Sequence, residues 1–460
     1  MGRRAVITGL GTATGLGIGC ESFWEALVEG RSAIGRIQAF DASAFPVSFG
    51  SEVASDAFNI RQVVPKSYRK ATKVMCRDIE LAVVAAAQAV EDAGLVTKGT
   101  ANGSDDTPLT YDPARMGCQI GAGLIVADID ELTAAFNIAR TDDETRAFSY
   151  AKWGNSGMND LTPLWLLKYL PNMLACHVTI IHDCRGPSNT ITCSEASGAL
   201  SVGESMRVIE RGDADLCFAG GAESKMNMLA LLRQWHMEML AETDAGLTDE
   251  QAQAVVRPFG TDAIGSLPGE GAALAILEAQ ETAVARGTHI YAEILGFGAG
   301  QSCDLKRSGL EPHPDGQGLQ GAIRQALANA DVTADRIDAI VPMGMGVAVY
   351  DTAEAAALRA VFGPSRLERI PLITTKPNVG LCAAASSAMD IAAAACCLDR
   401  QMLPARLNGS APMPGLEADS CGARDAQLDR ILVCGCGFAG QNYAMILGRA
   451  GYQDSGKGIG

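Results

Sequence analysis

Short apolar runs that end in glycine turns alternate with amphipathic stretches along most of this chain. The run "RRAVITGLG" predicts a strand, and the following "ESFWEALVEGRSAI" predicts a helix that Gly30 terminates. A long amphipathic helix is predicted from Arg77 to Asp92, with Gly94 as its C-cap. The polar segment 97–113, rich in Gly, Asp and Pro, predicts a loop.

The alternation of strands and helices occurs twice, which predicts two similar halves. In the first half, "MGCQIGAG" and "LCFAGGAES" are typical of buried strands that end in glycine turns. In the second half, a strand, a glycine turn and a helix are predicted for each of "IDAIVPMGMG", "ITTKPNVGLCAAASSAMDIAAAACCL" and "RILVCGCGFAGQNYAMIL". We place the division between residues 1–258 and 259–460. The pattern predicts an α/β fold whose sheets are covered on both faces.

Composition narrows the class of protein. With 460 residues, 48% of them hydrophobic, the chain can bury a large core. A net charge of −16 argues against nucleic acid as the main partner, since phosphate binding needs a basic surface. No apolar run approaches a membrane span and no signal peptide is visible. Fourteen cysteines without a C-x-x-C spacing indicate reduced thiols in the cytoplasm and no metal site.

One basic segment stands out against the acidic balance. The stretch "PKSYRKATKVMCR" is predicted to begin a helix with its basic residues on one side. Those residues are Lys66, Arg69, Lys70, Lys73 and Arg77. Two interpretations stay open, a solvated helix start and a local docking face.

A set of motifs in sequence order carries a family resemblance. They are "VITGLG", "FWEALVEGRSAI", "LPNMLACHVTIIHDCRGPS", "GGAES", "RPFG" with "GEGAALAILE", "TTKPNVG" and "GCGFAGQN". Over nearly its whole length the chain resembles the β-ketoacyl-acyl-carrier-protein synthases, the condensing enzymes of the thiolase fold. The resemblance implies a five-layered α-β-α-β-α duplication that dimerises through a sheet edge. It implies no cofactor.

The family's chemistry uses a Cys nucleophile at a helix N-terminus and two His residues that stabilise an enolate. Register with the "GPS" motif places Glu195, followed by "ASG", at the nucleophile position. The two His positions hold Met343, in "MGMGVAVYD", and Leu381, in "TKPNVGL". The resemblance therefore implies that all three catalytic side chains are replaced.

Supporting residues of the family's site are retained. Lys376 matches an active-site lysine, Asp351 and Asp390 match supporting carboxylates, and Phe438 matches a gating phenylalanine. Cys193 is expected at the end of a strand with its thiol in the core, as buried cysteines usually are. The histidines do not restore the site. His177 matches a position that looks structural, and four others lie outside the motifs: His182, His236, His289 and His313.

Glu195 is expected to be ionised by the helix N-terminus, with Lys376 able to pair with it. A carboxylate is a poor acyl acceptor, so condensation by this chain alone is not expected. The pattern resembles the chain-length factors of type II polyketide and polyene synthases. In those systems a silent subunit pairs with an active ketosynthase and shapes the tunnel that holds the acyl chain. An acyl carrier protein delivers the acyl groups to the ketosynthase. The usual residue there is Gln, so Glu195 departs from the pattern.

Two other hypotheses remain. In the first, Glu195 acts as an acid or base in decarboxylation or hydrolysis of a thioester, or supports an atypical acyl transfer. In the second, the chain is a homodimeric acyl-binding scaffold with no ketosynthase partner. The resemblance also implies that an acyl carrier protein docks near the basic segment from Lys66 to Arg77.

Overall fold

A computed structural model of the chain describes residues 3–101, 107–306 and 309–451. The described strands, in chain order, are β1 (Ala5–Thr14), β2 (Gly17–Ile18), β3 (Ile34–Arg36), β4 (Phe49–Ser51), β5 (Met116–Gly121), β6 (Ser188–Ile191), β7 (Leu216–Ser224), β8 (Glu270–Ala279), β9 (Ala292–Gln301), β10 (Ala339–Pro342), β11 (Met402–Leu403), β12 (Arg424–Asp425), β13 (Arg430–Cys436) and β14 (Gln441–Arg449).

The described α-helices are α1 (Cys20–Glu29), α2 (Ile60–Val63), α3 (Arg77–Asp92), α4 (Ile129–Ile138), α5 (Tyr150–Asn155), α6 (Met173–His182), α7 (Ser197–Glu210), α8 (Met228–His236), α9 (Asp249–Gln253), α10 (Gln280–Arg286), α11 (Gln317–Ala330), α12 (Ala348–Phe362), α13 (Pro364–Leu367), α14 (Lys376–Val379) and α15 (Ser386–Arg400). Short 3₁₀ turns matter at three places, Ser194–Ala196, Ala383–Ala385 and Phe438–Gly440.

The predicted end of α1 and the predicted bounds of α3 are confirmed, but the C-cap of α3 is Ala93 and not the predicted Gly94. Helix α1 ends at Gly30, whose φ of 68° is left-handed and suits a residue without a Cβ. Helix α3 has the predicted bounds, and Gly94, with φ 61°, lies one residue beyond the cap residue Ala93. The predicted loop contains neither helix nor strand from 97 to 101 and from 107 to 112, and its residues 102–106 lie outside the described residues.

The main sheet has the hydrogen-bonded strand order β10-β13-β14-β9-β1-β8-β7-β5-β6. Parallel pairs, such as β5 with β7, and antiparallel pairs, such as β1 with β8, both occur, so the sheet is mixed. Its two halves meet where β1 pairs with β9 through two residue pairs, Val6 with Glu293 and Ile7 with Ala292.

Helices cover the sheet in three layers. Helices α3 and α6 pack on the outer face of the first half, and α11 and α12 on the outer face of the second. Helices α7 and α15 pack on each other and touch strands of both halves, so they form the central layer. The layers therefore alternate as α-β-α-β-α, as the resemblance implied.

The two halves use the same close packing of a strand on a helix. A Cβ added at Gly11 in β1 would lie 1.9 Å from the carbonyl oxygen of Ala85 in α3. A Cβ added at Gly298 in β9 would lie 2.1 Å from the carbonyl oxygen of Ala322 in α11. Only glycine allows these approaches, which explains the Gly-x-Gly pattern in both strands.

Two predicted elements of the second half are wrong. The stretch "QNYAMIL" is strand β14, not a helix, and it forms an antiparallel hairpin with β13. No strand precedes Lys376, because the contact there is a single bridge between Ile340 and Leu372. Short buried apolar runs have no periodicity that separates strand from helix, and the first error follows from that.

The basic segment is not one helix. It folds as two 3₁₀ turns, Lys66–Tyr68 and Ala71–Val74, and α3 begins only at Arg77. Arg77 turns inward, where its guanidinium donates to Glu270 at 2.9 Å and to the carbonyl oxygen of Val53 at 2.6 Å. Arg77 therefore supports the fold and leaves the exposed basic set.

Candidate functional site

Glu195 lies in a tight turn between β6 and α7. Ser194 has a left-handed φ of 52°, unusual for a residue with a side chain. The Ser197 hydroxyl holds the turn by accepting from the Cys193 N–H at 2.8 Å and donating to the Ser194 carbonyl at 2.6 Å. The turn directs Glu195 inward, where it is 2% exposed.

The Glu195 carboxylate accepts a hydrogen bond from the backbone N–H of Phe438, with an N to Oε2 distance of 2.9 Å. Burial raises the pKa of Glu195, while the Phe438 N–H and the N–H of Glu195 itself act in the opposite direction. The net direction is upward, because desolvation of this enclosed carboxyl has a larger effect than the hydrogen bonds that favour its charged form.

Lys376 pairs with Asp390 and not with Glu195, which corrects the predicted pairing. The Lys376 Nζ lies 2.5 Å from Asp390 Oδ2, and both side chains are fully buried. The hydroxyl of Thr375 donates to Asp390 Oδ1 at 2.7 Å. Burial raises the pKa of Asp390, and the Lys376 ammonium opposes that shift. The retained lysine is thus fully engaged inside the protein.

Met343 and Leu381, at the two His positions, are fully buried members of one apolar cluster. Neither side chain can donate a hydrogen bond or carry charge. Tyr443 lies beside Met343, because a Cβ at Gly435 would contact both of them at 2.7 to 2.9 Å. The two positions at which the resemblance expects a donor therefore hold apolar side chains.

Asp351 holds the loop that follows β10. Its carboxylate accepts from the backbone N–H groups of Phe259 at 2.7 Å, Met345 at 3.0 Å and Gly346 at 3.1 Å. Burial raises its pKa to about 7, against the effect of these three N–H groups. Asp351 supports backbone geometry and contacts no side chain of the candidate site in these bonds.

Glu354 is a functional-site residue that sequence reasoning missed. It accepts from the N–H of Met343 at 2.9 Å and of Gly344 at 3.0 Å, and burial raises its pKa to about 8. Its position three residues after Asp351 on helix α12 was the available signal, since i,i+3 residues share a helix face.

Glu223, in the "GGAES" motif, was also missed. Its carboxylate accepts from the Ala384 N–H at 2.8 Å and forms an ion pair with Lys225, and both side chains are buried. A Cβ at Gly123 would overlap this carboxylate, so the glycine makes room for it. The motif thus places a buried acid between the two halves.

Phe438 begins a 3₁₀ turn whose next residue, Ala439, has a left-handed φ of 59°. The Phe438 ring is half-buried against the central apolar cluster. The Ala439 N–H donates to the Leu310 carbonyl at 2.7 Å. This turn and the Glu195 turn are the two backbone segments that face each other across the site.

Cys193 is half-buried and packs against the central apolar cluster, so the expectation of a thiol in the core is met only in part. Burial raises the pKa of this thiol, which disfavours the thiolate that a nucleophile requires. Its neighbour Glu195, not Cys193, points into the site.

The histidines lie away from these groups in ordinary contacts. His177 bonds to the Tyr68 hydroxyl at 2.9 Å and His182 to the Thr97 hydroxyl at 2.8 Å, and burial lowers the pKa of each to about 4. His289 lies 2.9 Å from Asp399. His236 lies beside the ring of Trp235. His313 lies 3.8 Å from Asp315.

Within residues 3–101, 107–306 and 309–451, three or more His, Cys, Asp or Glu side chains nowhere gather as a metal site would require. Each of the fourteen cysteines is a free thiol. Over the same ranges, no helix has both the length and the apolar character needed to cross a membrane.

The sequence matches two family descriptions, "Beta-ketoacyl synthase, N-terminal domain" over residues 2–283 and "Beta-ketoacyl synthase, C-terminal domain" over residues 291–410. The chain belongs to the β-ketoacyl synthase family. The chain is 28% identical to 3-oxoacyl-acyl-carrier-protein synthase 2 of Vibrio cholerae, over 97% of this chain and 99% of that protein. It is 30% identical to actinorhodin polyketide putative beta-ketoacyl synthase 1 of Streptomyces coelicolor, over 97% of this chain and 88% of that one.

Solved structures agree with this family assignment. The ishigamide ketosynthase/chain length factor matches with a TM-score of 0.79 and 27% identity, covering 98% of this chain and 100% of that one. A β-ketoacyl synthase from Burkholderia phymatum matches with a TM-score of 0.79 and 25% identity, covering 97% and 100%. The thiolase-like fold is confirmed, and the protein is a ketosynthase-like member of the fatty-acid and polyketide synthase family.

Proposed function

We propose that this chain is a catalytically silent subunit that pairs with an active ketosynthase and shapes the tunnel for the growing acyl chain. One observation carries the proposal. The nucleophile position holds a buried carboxylate bonded to the Phe438 N–H, while Met343 and Leu381 fill the two His positions with apolar groups. The scaffold around them, including the Lys376–Asp390 pair, is intact.

Condensation requires a thiolate and donors for an enolate oxygen, and these residues supply neither. Loss of one oxyanion donor costs about 10²–10³ in rate, and here both histidine positions are occupied by side chains without donors. Acyl transfer to Glu195 would give a mixed anhydride, which is itself reactive, so this carboxyl is a poor acyl acceptor.

A subunit that acts through a partner needs a surface for it. More than half of the exposed large apolar side chains among the described residues fall between positions 124 and 166. They are Leu124, Phe136, Ile138, Phe148, Tyr150, Met158, Leu164 and Leu166. Among them Phe136, Phe148 and Tyr150 are joined by ring contacts, and an exposed apolar cluster of this kind supports a protein interface. Strand β6 ends the sheet order with exposed Ser188 and Asn189, which supports pairing at that edge.

The partner we propose is a ketosynthase that keeps the Cys and both histidines, in a one-to-one heterodimer. The solved neighbour named as a ketosynthase/chain length factor supports a pairing of this kind. An acyl carrier protein would serve the pair. The docking residues that we propose for the carrier protein are the exposed Lys66, Lys70 and Lys73 and the half-buried Arg69. Arg77 is not among them because its guanidinium donates to Glu270.

We further propose a cytoplasmic location and the division into halves 1–258 and 259–460. The fourteen free thiols support a reducing compartment. The gating role of Phe438 also stays a proposal, supported by its half-buried ring next to Glu195.

The experiment is gentle purification of the tagged protein from its native host, followed by native mass measurement and identification of bound proteins. We expect a one-to-one complex with a ketosynthase whose sequence retains the Cys and two His residues. Recovery of a homodimer alone would overturn the heterodimer and return the scaffold and thioester hypotheses for test. A matched sample carrying Leu164→Glu and Leu166→Glu, both exposed in the monomer, is expected to lose the partner but keep its fold.

A further inference from the structure

Every backbone N–H of the turn that carries Phe438 has an acceptor, but one acceptor differs in kind. Gly437 donates to Gln441 at 2.6 Å, Ala439 to Leu310 at 2.7 Å and Gly440 to Gly437 at 3.1 Å, all to carbonyl oxygens. The Phe438 N–H donates instead to the Glu195 side chain. The turn therefore depends on a residue 243 positions away for one of its bonds.

The two facing turns each contain a residue with a side chain in a left-handed conformation, Ser194 at φ 52° and Ala439 at φ 59°. Such conformations cost free energy and persist only where the surroundings hold them. The bond between Glu195 and the Phe438 N–H joins the turns between these two positions. It is placed to hold both.

Side-chain length decides which residues can make this bond. The Glu195 carboxyl reaches the next loop, and its Oε2 lies 3.3 Å from where a Cβ on Gly437 would stand. A one-carbon side chain at position 195 would leave the Phe438 N–H without this acceptor in an enclosed site. A carboxamide of the same length would keep an oxygen there.

We propose that Glu195 is a positioning residue, which latches the Phe438–Gly440 turn to the helix α7 turn and keeps the site closed. In the proposed silent subunit, the latch is thus a structural role for Glu195, the residue at the nucleophile position. It needs no partner subunit, so its test on the isolated chain fails or succeeds separately from the test of pairing.

Hydrogen exchange of the Phe438 amide, measured by residue-resolved mass spectrometry or NMR on the full chain, tests the latch. The wild-type amide is expected to be protected. Glu195→Ala is expected to speed its exchange by about tenfold or more, since hydrogen bonds to charged or buried acceptors have that strength. Glu195→Gln is expected to restore exchange to within about threefold of wild type, because the acceptor oxygen is retained.

The matched control is Glu354→Ala, which removes another buried glutamate that accepts two N–H groups. It is expected to speed exchange at Met343 and Gly344 while leaving the Phe438 amide at the wild-type rate. An unprotected Phe438 amide in the wild type would overturn the latch. So would unchanged exchange in Glu195→Ala, or a Gln variant as fast as Ala. If the Ala variant does not fold, the wild-type and Gln measurements still decide.

Discussion

Each half of the molecule has the same kind of turn before a helix of the central layer, but only the turn of the first half carries a carboxylate. Ser194–Ala196 leads into α7 and Ala383–Ala385 into α15, and each turn has one left-handed residue, Ser194 at φ 52° and Ala383 at φ 44°. The first turn carries Glu195 at its middle position and the second carries Ala384. The backbone is repeated while the side chain is not.

The difference lies in which residue supplies the carboxylate. At the second turn the Ala384 N–H donates to Glu223 on β7, and the Glu223 carboxylate forms an ion pair with Lys225. At the first turn the buried Glu195 carboxylate accepts from the Phe438 N–H, and the described residues place no basic side chain within ion-pair distance of it. The Glu223 carboxylate has a cationic partner, whereas the Glu195 carboxylate has a backbone N–H and no cation.

The largest expected effect comes from Glu223→Ala. The substitution leaves the Lys225 ammonium buried without its partner and the Ala384 N–H without its acceptor. We expect the free energy of unfolding to fall by about 3–5 kcal/mol in urea denaturation. Glu195→Ala, which breaks no ion pair, is expected to cost clearly less. Equal losses for the two variants would contradict the distinction between the two turns.

A smaller loss is expected where the two helices of the central layer touch. A Cβ at Gly198 in α7 would lie 2.8 Å from the carbonyl oxygen of Ala384 and 2.9 Å from the Ala388 Cβ. Gly198→Ala is therefore expected to cost about 1–3 kcal/mol by overpacking, seen as a lower urea midpoint. The control is Ser201→Ala on the same helix, because its buried hydroxyl has no partner to lose. A control loss as large as that of Gly198→Ala would refute overpacking as the cause.

The acids of helix α12 predict a pH dependence. Burial raises the pKa of Glu354 from 4.5 to about 8, so the folded chain keeps a proton that the unfolded chain releases. This contribution to stability is complete below about pH 4.5 and is lost as the pH rises towards about 8. Asp351, with a pKa of about 7, acts in the same direction.

Glu354→Gln has no proton to lose, so we expect it to lose less stability than the wild type between about pH 5 and pH 8. Denaturation curves at the two pH values measure the difference. The exposed Glu368→Gln is the control and is expected to keep the wild-type slope. A Glu354→Gln slope equal to that of the wild type would show that this residue does not titrate in the window.

The smallest effect on stability is expected from charge reversal outside both turns. Lys66, Lys70 and Lys73 are exposed, and changing all three to Glu is expected to alter the free energy of unfolding by about 0.5 kcal/mol or less per site. The same variant is expected to weaken salt-dependent binding of an acidic carrier protein to the complex. Unchanged binding would remove the basic segment from the docking proposal. Arg77→Ala is the contrasting variant, because it breaks the bond to Glu270 and destabilises the chain.

Local signals made part of this fold predictable. The bounds of α3 and the end of α1 at Gly30 follow from amphipathic periodicity and from the need for a left-handed residue. The β13–β14 hairpin did not follow, since a short buried strand and a buried helical segment have the same apolar composition. Register alone placed Glu195, Met343 and Leu381 in the enclosed region that the structure shows.

Which groups of the site bond to each other could not be predicted from the sequence. Lys376 had two carboxylates available by resemblance, and the structure pairs Lys376, at the start of α14, with Asp390, in the first turns of α15, where both side chains are fully buried. Glu223 and Glu354 were missed because their roles are bonds to backbone N–H groups that sequence does not display. The direction of the Glu195 pKa shift likewise depends on burial, which only the folded arrangement reveals.

The central claim, that this chain lacks condensing activity of its own, is tested most directly by turnover of acyl- and malonyl-carrier protein. The purified chain, a Cys-bearing ketosynthase partner and the mixture of the two are assayed side by side. We predict no product from this chain alone and full-length product only from the mixture. Condensation by the isolated chain, abolished in a folded Glu195→Ala variant, would contradict the account.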